Sequence, residues 1–290
     1  MGSFSRRSRL AAGPLLAFVA VALTVPTTVA QASDADPIGG PGLAGGGIHV
    51  VYGPSAVPLP PIAAASWVIA DATTGEILAA KAPHKVRPPA STLKTLTALT
   101  LIPALDAAST YRPVFADVAV EGSRAGIVEG AVYTVDDLFY GMLLPSGNDA
   151  ATALARANGG VKKTVAEMNE VARHVQALDT VARTPHGLDA PGQVSSAYDL
   201  ALIARAGLQL PAFRTYVSTL QHDFPGRPAK AGKKRSTFEL WNQDPLLREG
   251  YRGAIGVKTG YTTFAGRTFV GAAKRGDRTL IVTLMGITEP

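Results

Sequence analysis

AGRTFVGAAKRGDRTLIVTLMG, residues 265–286, reads as two strands joined at the Gly-Asp pair 276–277. Gly-Asp suits a tight reversal, and the flanking runs carry the Val, Thr, Phe and Ile of a pleated, half-buried surface. A hairpin alone is marginal in water, so this one needs further strands and a covering layer. GAIGVKTGYT at 253–262 supplies another strand-like run just upstream. At the other end of the chain SWVIAD (66–71), the turn TTG (73–75) and EILAAK (76–81) read as strand, turn, strand.

Between these β-rich ends the period changes. YTVDDLFYGMLL at 133–144 places Val135, Leu138, Phe139, Met142 and Leu143 on one helical face. Thr134 is its expected N-cap, Asp136 and Asp137 suit the positive helix start, and Pro145 ends it. Further helices are expected over 91–102 (stopped by Pro103), from about Asp149, over 162–178, and over 195–208, where Ser196 and Asp199 have capping-box spacing. Strands at both ends around a helical middle predict an α+β fold. An antiparallel sheet built from both termini is packed with helices, beside a mostly helical subdomain. No internal repeat is present.

The first 32 residues read as an export signal rather than fold. A positive start (SRRSR, 5–9) precedes an apolar core (10–25), which is short for a membrane span, and AQA at 30–32 matches a small-x-small cleavage site. Ser8-Arg9 follow the Arg6-Arg7 pair where apolar residues would be expected, which favours the general secretory route over the twin-arginine one. An uncleaved anchor is the alternative. Residues 33–62, rich in Gly and Pro, read as a flexible linker, which leaves 63–290 as the folded domain that carries any chemistry. The export signal holds three arginines and no acid, so the formal charge of +6 falls to +3 without it, 25 basic residues against 22 acidic. With no basic cluster larger than Lys233-Lys234-Arg235, no nucleic-acid partner is expected. The absence of cysteine excludes disulfides, thiolate metal sites and a cysteine nucleophile. His49, His84, His174, His186 and His222 are scattered without metal-ligand spacing, so neither a metal nor another cofactor is expected.

Three short stretches carry chemistry. In PPASTLKTLTALT (88–100) an apolar helix contains one charge, Lys94, placed i+3 from Ser91 and so on its face. A serine in the first turn offers a hydroxyl nucleophile and an unpaired backbone N–H, and a buried amine of lowered pKa could take its proton. Ser-x-x-Lys alone also describes a helix cap beside a snorkelling lysine. PSGND (145–149) places Ser146 and Asn148 in a bend between two helices, although the same residues make an ordinary turn. GVKTGYT (256–262) puts Lys258 and Thr259 in a strand where Gly260 permits close approach of a ligand or backbone; it too could be plain surface strand.

In combination the three are far more specific. Each occurs once and in this order, with 55 residues from Ser91 to Ser146 and 112 from Ser146 to Lys258. In this the chain resembles the penicillin-recognising serine hydrolases. Through PPAST, LLPSGNDAA, TPHGLD, SAYDLALIA and GVKTGYT it is most similar to the low-molecular-weight D-alanyl-D-alanine carboxypeptidases of bacterial cell walls, over roughly residues 64–287. The resemblance implies a β-lactamase/transpeptidase-like fold and an exported enzyme that removes the terminal D-alanine from peptidoglycan stem pentapeptides. Ser91 would be acylated and Lys94 would be the base. Ser146 would relay the proton, and Asn148 would hold the substrate and Lys94. Lys258, Thr259, Gly260, Tyr261 and Thr262 would bind substrate, with the N–H groups of Ser91 and Tyr261 as oxyanion hole. β-Lactams would be covalent inhibitors. Relatives usually continue with another helix and often a carboxylate-binding arginine, and many carry a C-terminal membrane anchor. The sequence here ends at Pro290, so no such anchor is expected, and Arg252 or Arg267 is left as the substitute arginine.

Three other readings stay open. A D,D-endopeptidase would cut cross-links with the same residues. A class A β-lactamase needs a Glu-x-x-Leu-Asn loop between the second and third motifs, and none of the eight glutamates begins one. A non-catalytic wall-binding module would keep the fold without the chemistry, although every motif residue is intact.

Overall fold

A computed structural model describes residues 1–2, 39–51 and 58–287. Nearly all of the export-signal reading and residues 33–38 and 52–57 of the linker lie outside them. The chain divides at residue 35, and every element described here belongs to the unit 36–290.

Strand β1 (Ile48–Val50) precedes β2 (Ala64–Asp71) and β3 (Ile77–Lys81), the expected N-terminal pair. A 3-10 turn over Ala90–Leu93 then runs directly into α1 (Lys94–Leu101). A small two-strand pair, β4 (Thr110–Tyr111) and β5 (Tyr133–Thr134), brackets the short α2 (Phe115–Val118). Next come α3 (Val135–Leu143), α4 (Asn148–Ala157), α5 (Val161–His174), α6 (Ala197–Gly207) and α7 (Pro211–Ser218). The hairpin β6 (Gln221–Pro225) and β7 (Thr237–Trp241) and a short α8 (Pro245–Arg248) lead to β8 (Ala254–Thr262), β9 (Gly266–Arg275) and β10 (Arg278–Ile287).

The main sheet has the order β1-β3-β2-β10-β9-β8, antiparallel throughout. The C-terminal hairpin therefore pairs with the first strands, Val282 opposite Ile69 and Leu284 opposite Trp67. This is the expected sheet from both termini. β1, inside the stretch read as linker, adds three residues to the edge at β3. Three residues are too few to show a strand period, and three glycines precede them.

Helix α1 is buried along its whole length, which explains why its sequence lacks a polar stripe. It packs against α5 and α6, and the carbonyl of Ala197 at the start of α6 accepts from Thr283 Oγ1 of β10 at 2.7 Å, tying helix layer to sheet. Helix α3 begins with a complete capping box: Asp137 N donates to Thr134 Oγ1 at 3.0 Å and Thr134 N to Asp137 Oδ2 at 3.1 Å. Ser196 Oγ accepts from Asp199 N at 3.1 Å, but the Asp199 carboxyl turns instead to Thr180 Oγ1 at 2.6 Å, so only half of that box forms.

Helix α5 ends at His174, four residues before the expected end. Gln176 takes a left-handed φ of 62°, and Ala177 N reaches back to Ala172 O at 2.8 Å, the terminating pattern usually built on glycine. Helix α1 starts later than expected because Ala90 has a φ of 50° and the chain winds tightly through Ser91 before relaxing at Lys94.

Candidate active site

Three elements meet at Ser91. The tight turn before α1 places the serine within the first helical turn, where its N–H has no intrahelical acceptor. Lys94, fully buried, points its Nζ back to Ser91 Oγ at 2.9 Å. The same nitrogen donates to Asn148 Oδ1 and His186 O, both at 2.7 Å, and reaches Ser146 Oγ at 3.4 Å. Burial and the positive charge of Lys258 hold the Lys94 ammonium well below the ordinary lysine range, and Asp149 pulls only partly the other way.

The second element is the bend into α4. Ser146 sits at φ 66°, a left-handed conformation costly for a side-chain residue. Gly147 follows where a Cβ would lie 2.6 Å from Gly141 O and 2.7 Å from Ala125 N, so only glycine fits. Asn148 donates from Nδ2 to Glu121 O at 2.6 Å, which fixes its amide so that Oδ1 faces Lys94. Buried Asp149 anchors this loop. Its oxygens accept from Ala125 N and Ala150 N at 2.8 Å, Gly126 N at 2.9 Å and Ile127 N at 3.2 Å.

The third is β8, the sheet's edge strand. Lys258 is 2% exposed, its Nζ donates to Thr259 O at 2.9 Å, and burial brings its pKa down to about 7 against the opposing pull of Asp244. A Cβ on Gly260 would stand 2.8 Å from Ser91 N, 3.0 Å from Thr92 N and 2.4 Å from Thr268 Oγ1. The strand thus lies against the Ser91 turn at its glycine, the close approach expected of that residue. Thr268 on β9 supports the turn from beneath through Thr268 Oγ1 to Pro89 O at 3.0 Å.

All nine residues singled out in the sequence come from these three elements, but not all face the same way. Lys94, Ser146 and Asn148 cluster around Ser91, and Lys258 perturbs Lys94 through its charge. Tyr261 is 65% exposed at the rim, and Thr262 spends its hydroxyl on Asp189 Oδ1 at 3.0 Å. Arg252 precedes β8, seven residues or roughly 23 Å of extended chain from Thr259, too far to assist it. Arg267 lies opposite Tyr261 in register, within diagonal reach of Thr259.

Sequence reasoning missed three contributors. Asp149 entered the sequence reading only as the start of a helix. His186, one of the scattered histidines, has the side chain of a structural loop residue: burial and the nearby Lys94 charge bring its pKa down to about 4, and its Nδ1 accepts from Leu188 N at 3.2 Å. Its carbonyl, however, is a Lys94 partner. Gly187 beside it has φ 85°, and a Cβ there would fall 2.0 Å from Ala90 O. The HGL triplet offered that glycine as the only signal. Among the described residues no group of three His, Asp or Glu side chains is arranged to hold a metal ion, and no helix is long and apolar enough to cross a membrane.

The geometry can be set beside known proteins. D-alanyl-D-alanine carboxypeptidase DacB2 of Mycobacterium tuberculosis is 43% identical over 231 residues, 79% of this chain and 77% of its own. DacD of Escherichia coli, also a D-alanyl-D-alanine carboxypeptidase, is 37% identical over 245 residues, which span 79% of this chain but 60% of its own length. A solved M. tuberculosis D-alanyl-D-alanine carboxypeptidase superposes with TM-score 0.77 at 41% identity, covering 83% of this chain and 89% of that one. A Streptomyces DD-transpeptidase does so with 0.75 at 32%, covering 80% and 93%. The sequence profile of the D-alanyl-D-alanine carboxypeptidase family, Peptidase S11, matches residues 54–289. With its buried lysine, its bend and its glycine-edged strand brought together at Ser91, the chain belongs to this family of penicillin-binding serine hydrolases and is a D-alanyl-D-alanine carboxypeptidase.

Proposed function

We propose that Ser91 is the nucleophile and Lys94 its base in releasing the terminal D-alanine of peptidoglycan stem peptides. The observation that carries this reading is the 2.9 Å contact of Lys94 Nζ with Ser91 Oγ in an environment that disfavours the ammonium. The neutral amine takes the Ser91 proton as Oγ attacks the carbonyl of the penultimate D-alanine. The N–H groups of Ser91 and Tyr261 donate to the developing oxyanion. As the C–N bond breaks, the proton passes from Lys94 through Ser146 to the leaving amine, and an ester remains on Ser91. Water attacks that ester, giving its proton to Lys94, and Ser91 is restored when Lys94 returns it. Asn148 holds the substrate backbone, Lys258 and Thr259 bind the terminal carboxylate, and Gly260 lets the peptide lie close. β-Lactams acylate the same serine. Residues 1–32 export the chain, so the reaction takes place at the cell wall.

The test is D-alanine release from a stem pentapeptide and from a cross-linked dimer, with and without benzylpenicillin. Ser91→Ala should lose activity by roughly 10³-fold or more. Wild-type rates in that variant would overturn the assignment. Cleavage of the dimer in preference to the pentapeptide would make the enzyme an endopeptidase, and penicilloyl turnover within seconds would make it a β-lactamase.

A further inference from the structure

One of the oxygens around Lys94 belongs to the backbone. The His186 carbonyl accepts from Lys94 Nζ at 2.7 Å, and it shares one planar peptide with the N–H of Gly187. Where the carbonyl points is therefore set by what that N–H finds on the other side. Gly187 N donates to Thr184 Oγ1 at 3.1 Å, and the hydroxyl in turn donates to Gln193 Oε1 at 3.0 Å. A hydroxyl has a single hydrogen, so giving it to Gln193 turns a lone pair toward Gly187. An unbroken series of hydrogen bonds thus runs from Lys94 through one peptide group to Thr184 and Gln193.

Gln193 is 4% exposed and uses both ends of its amide. Its Oε1 also accepts from Arg183 N at 3.0 Å and Thr184 N at 2.9 Å, while its Nε2 donates to Leu188 O at 2.6 Å. One side chain therefore ties both sides of the loop 183–188, with His186 between them. Two further contacts seat this loop on α1 and the Ser91 turn. Thr97 Oγ1 donates to Pro185 O at 2.7 Å, and Gly187 passes so close to Ala90 O that a Cβ would fall 2.0 Å from it. These contacts fix where the loop lies, but a peptide can turn over with its Cα atoms nearly in place. Turned over, the peptide between His186 and Gly187 would offer Lys94 an N–H in place of an acceptor.

We propose that Thr184 and Gln193 are positioning residues for Lys94: they hold the His186 carbonyl toward its Nζ, and through that carbonyl keep the nitrogen at Ser91 Oγ. The inference rests on the proposed reaction, in which Lys94 takes the Ser91 proton. A carbonyl aimed at Nζ favours the ammonium over the amine, so its loss has a definite sign. Without it the Lys94 pKa falls further. The charges that act on Lys94, Lys258 and Asp149, stay in place when Thr184 or Gln193 is changed, and so does the His186 ring, which burial keeps neutral.

Thr184→Val keeps the shape of the side chain and removes the hydroxyl, and Thr184→Ser restores the hydroxyl. Benzylpenicillin acylation rates are measured across pH by rapid quench. The titration of Lys94 itself is followed by the carbon-13 shift of its Cε in lysine-labelled protein, assigned against Lys94→Arg. Thr184→Val should lower the plateau acylation rate about tenfold or more. It should also move the acid limb and the Lys94 titration about one pH unit lower, the worth of one hydrogen bond to a charged group. Thr184→Ser should return both to near wild type. Gln193→Met, which frees the Thr184 hydroxyl to turn away, should move the titration the same way, and it carries the same test if Thr184→Val does not fold. A Lys94 titration left in place in Thr184→Val, whatever the plateau rate, or a serine variant no better than the valine one, overturns the positioning role. An unmoved titration in Gln193→Met overturns the part given to Gln193. A Lys94 titration that moves while the acylation limb stays would instead overturn Lys94 as the base and leave its tie to the carbonyl standing.

Discussion

To take the Ser91 proton as proposed, Lys94 must be neutral, yet four oxygens lie within 3.4 Å of its nitrogen. Burial first and then Lys258 favour the amine, while Asp149 favours the ammonium, so two buried charges of opposite sign act on top of the burial. This gives a signed prediction. Lys258→Gln removes the repelling charge, the Lys94 pKa rises, and the acid limb of the benzylpenicillin acylation rate moves to higher pH. Asp149→Asn removes the attracting charge, and the limb moves to lower pH; asparagine still leaves one oxygen for the loop N–H groups. Rapid-quench acylation rates measured across pH would show the two shifts in opposite directions. Shifts of the same sign, or none, would mean that the limb belongs to another group. His186 is a poor candidate for that limb, because burial and Lys94 already bring its pKa down to about 4.

At the scale of the element, the site depends on a turn, a bend and a strand held at close contact. Gly260→Ala would place a methyl 2.4 Å from Thr268 Oγ1 and 2.8 Å from Ser91 N. β8 or the Ser91 turn must then retreat. The expected cost is about 1–3 kcal/mol of stability, as for other overpacked sites, with roughly 10²-fold slower acylation from the displaced donor. Chemical denaturation and penicillin acylation rates measure the two losses, and a variant matching wild type in both would refute the contact. Elements with a strong period or a standard cap were legible: α3 with Thr134, the hairpin of β9 and β10, and the strand pair β2 and β3. The ends that escaped were those where an ordinary residue adopts a glycine-like backbone, Gln176 closing α5 and Ala90 opening the turn at Ser91. No local residue type marks such positions, since tertiary contacts enforce them. The hairpin of β6 and β7 escaped for another reason. Eleven residues, many basic, separate its strands, and the sequence reads as loop.

The fold class of the whole molecule was readable because both ends of the chain carry strands. The pairing of residues far apart was not, because register is decided by partners the sequence does not name. Asp149 shows the same limit at the site: its four N–H donors come mostly from a loop more than twenty residues earlier. The sheet's order makes its two ends unequal. β10 lies between β2 and β9, and Ile281 and Met285 on it belong to the main core, so residues 278–287 join the N-terminal strands to the edge that carries Lys258. β1 covers only three residues at the opposite edge, and among the described residues before 58 Leu43 alone belongs to the core. A chain beginning at residue 58 should therefore fold and acylate with penicillin, less stable by about 2–3 kcal/mol for the lost burial of Leu43. A chain ending at Gly276 should not fold, since β2 and β9 would each lose their shared partner and expose apolar faces. Circular dichroism, a urea titration and covalent penicillin labelling of both chains decide it. An unfolded first chain or a cooperatively folded second would show that the sheet is not closed through β10.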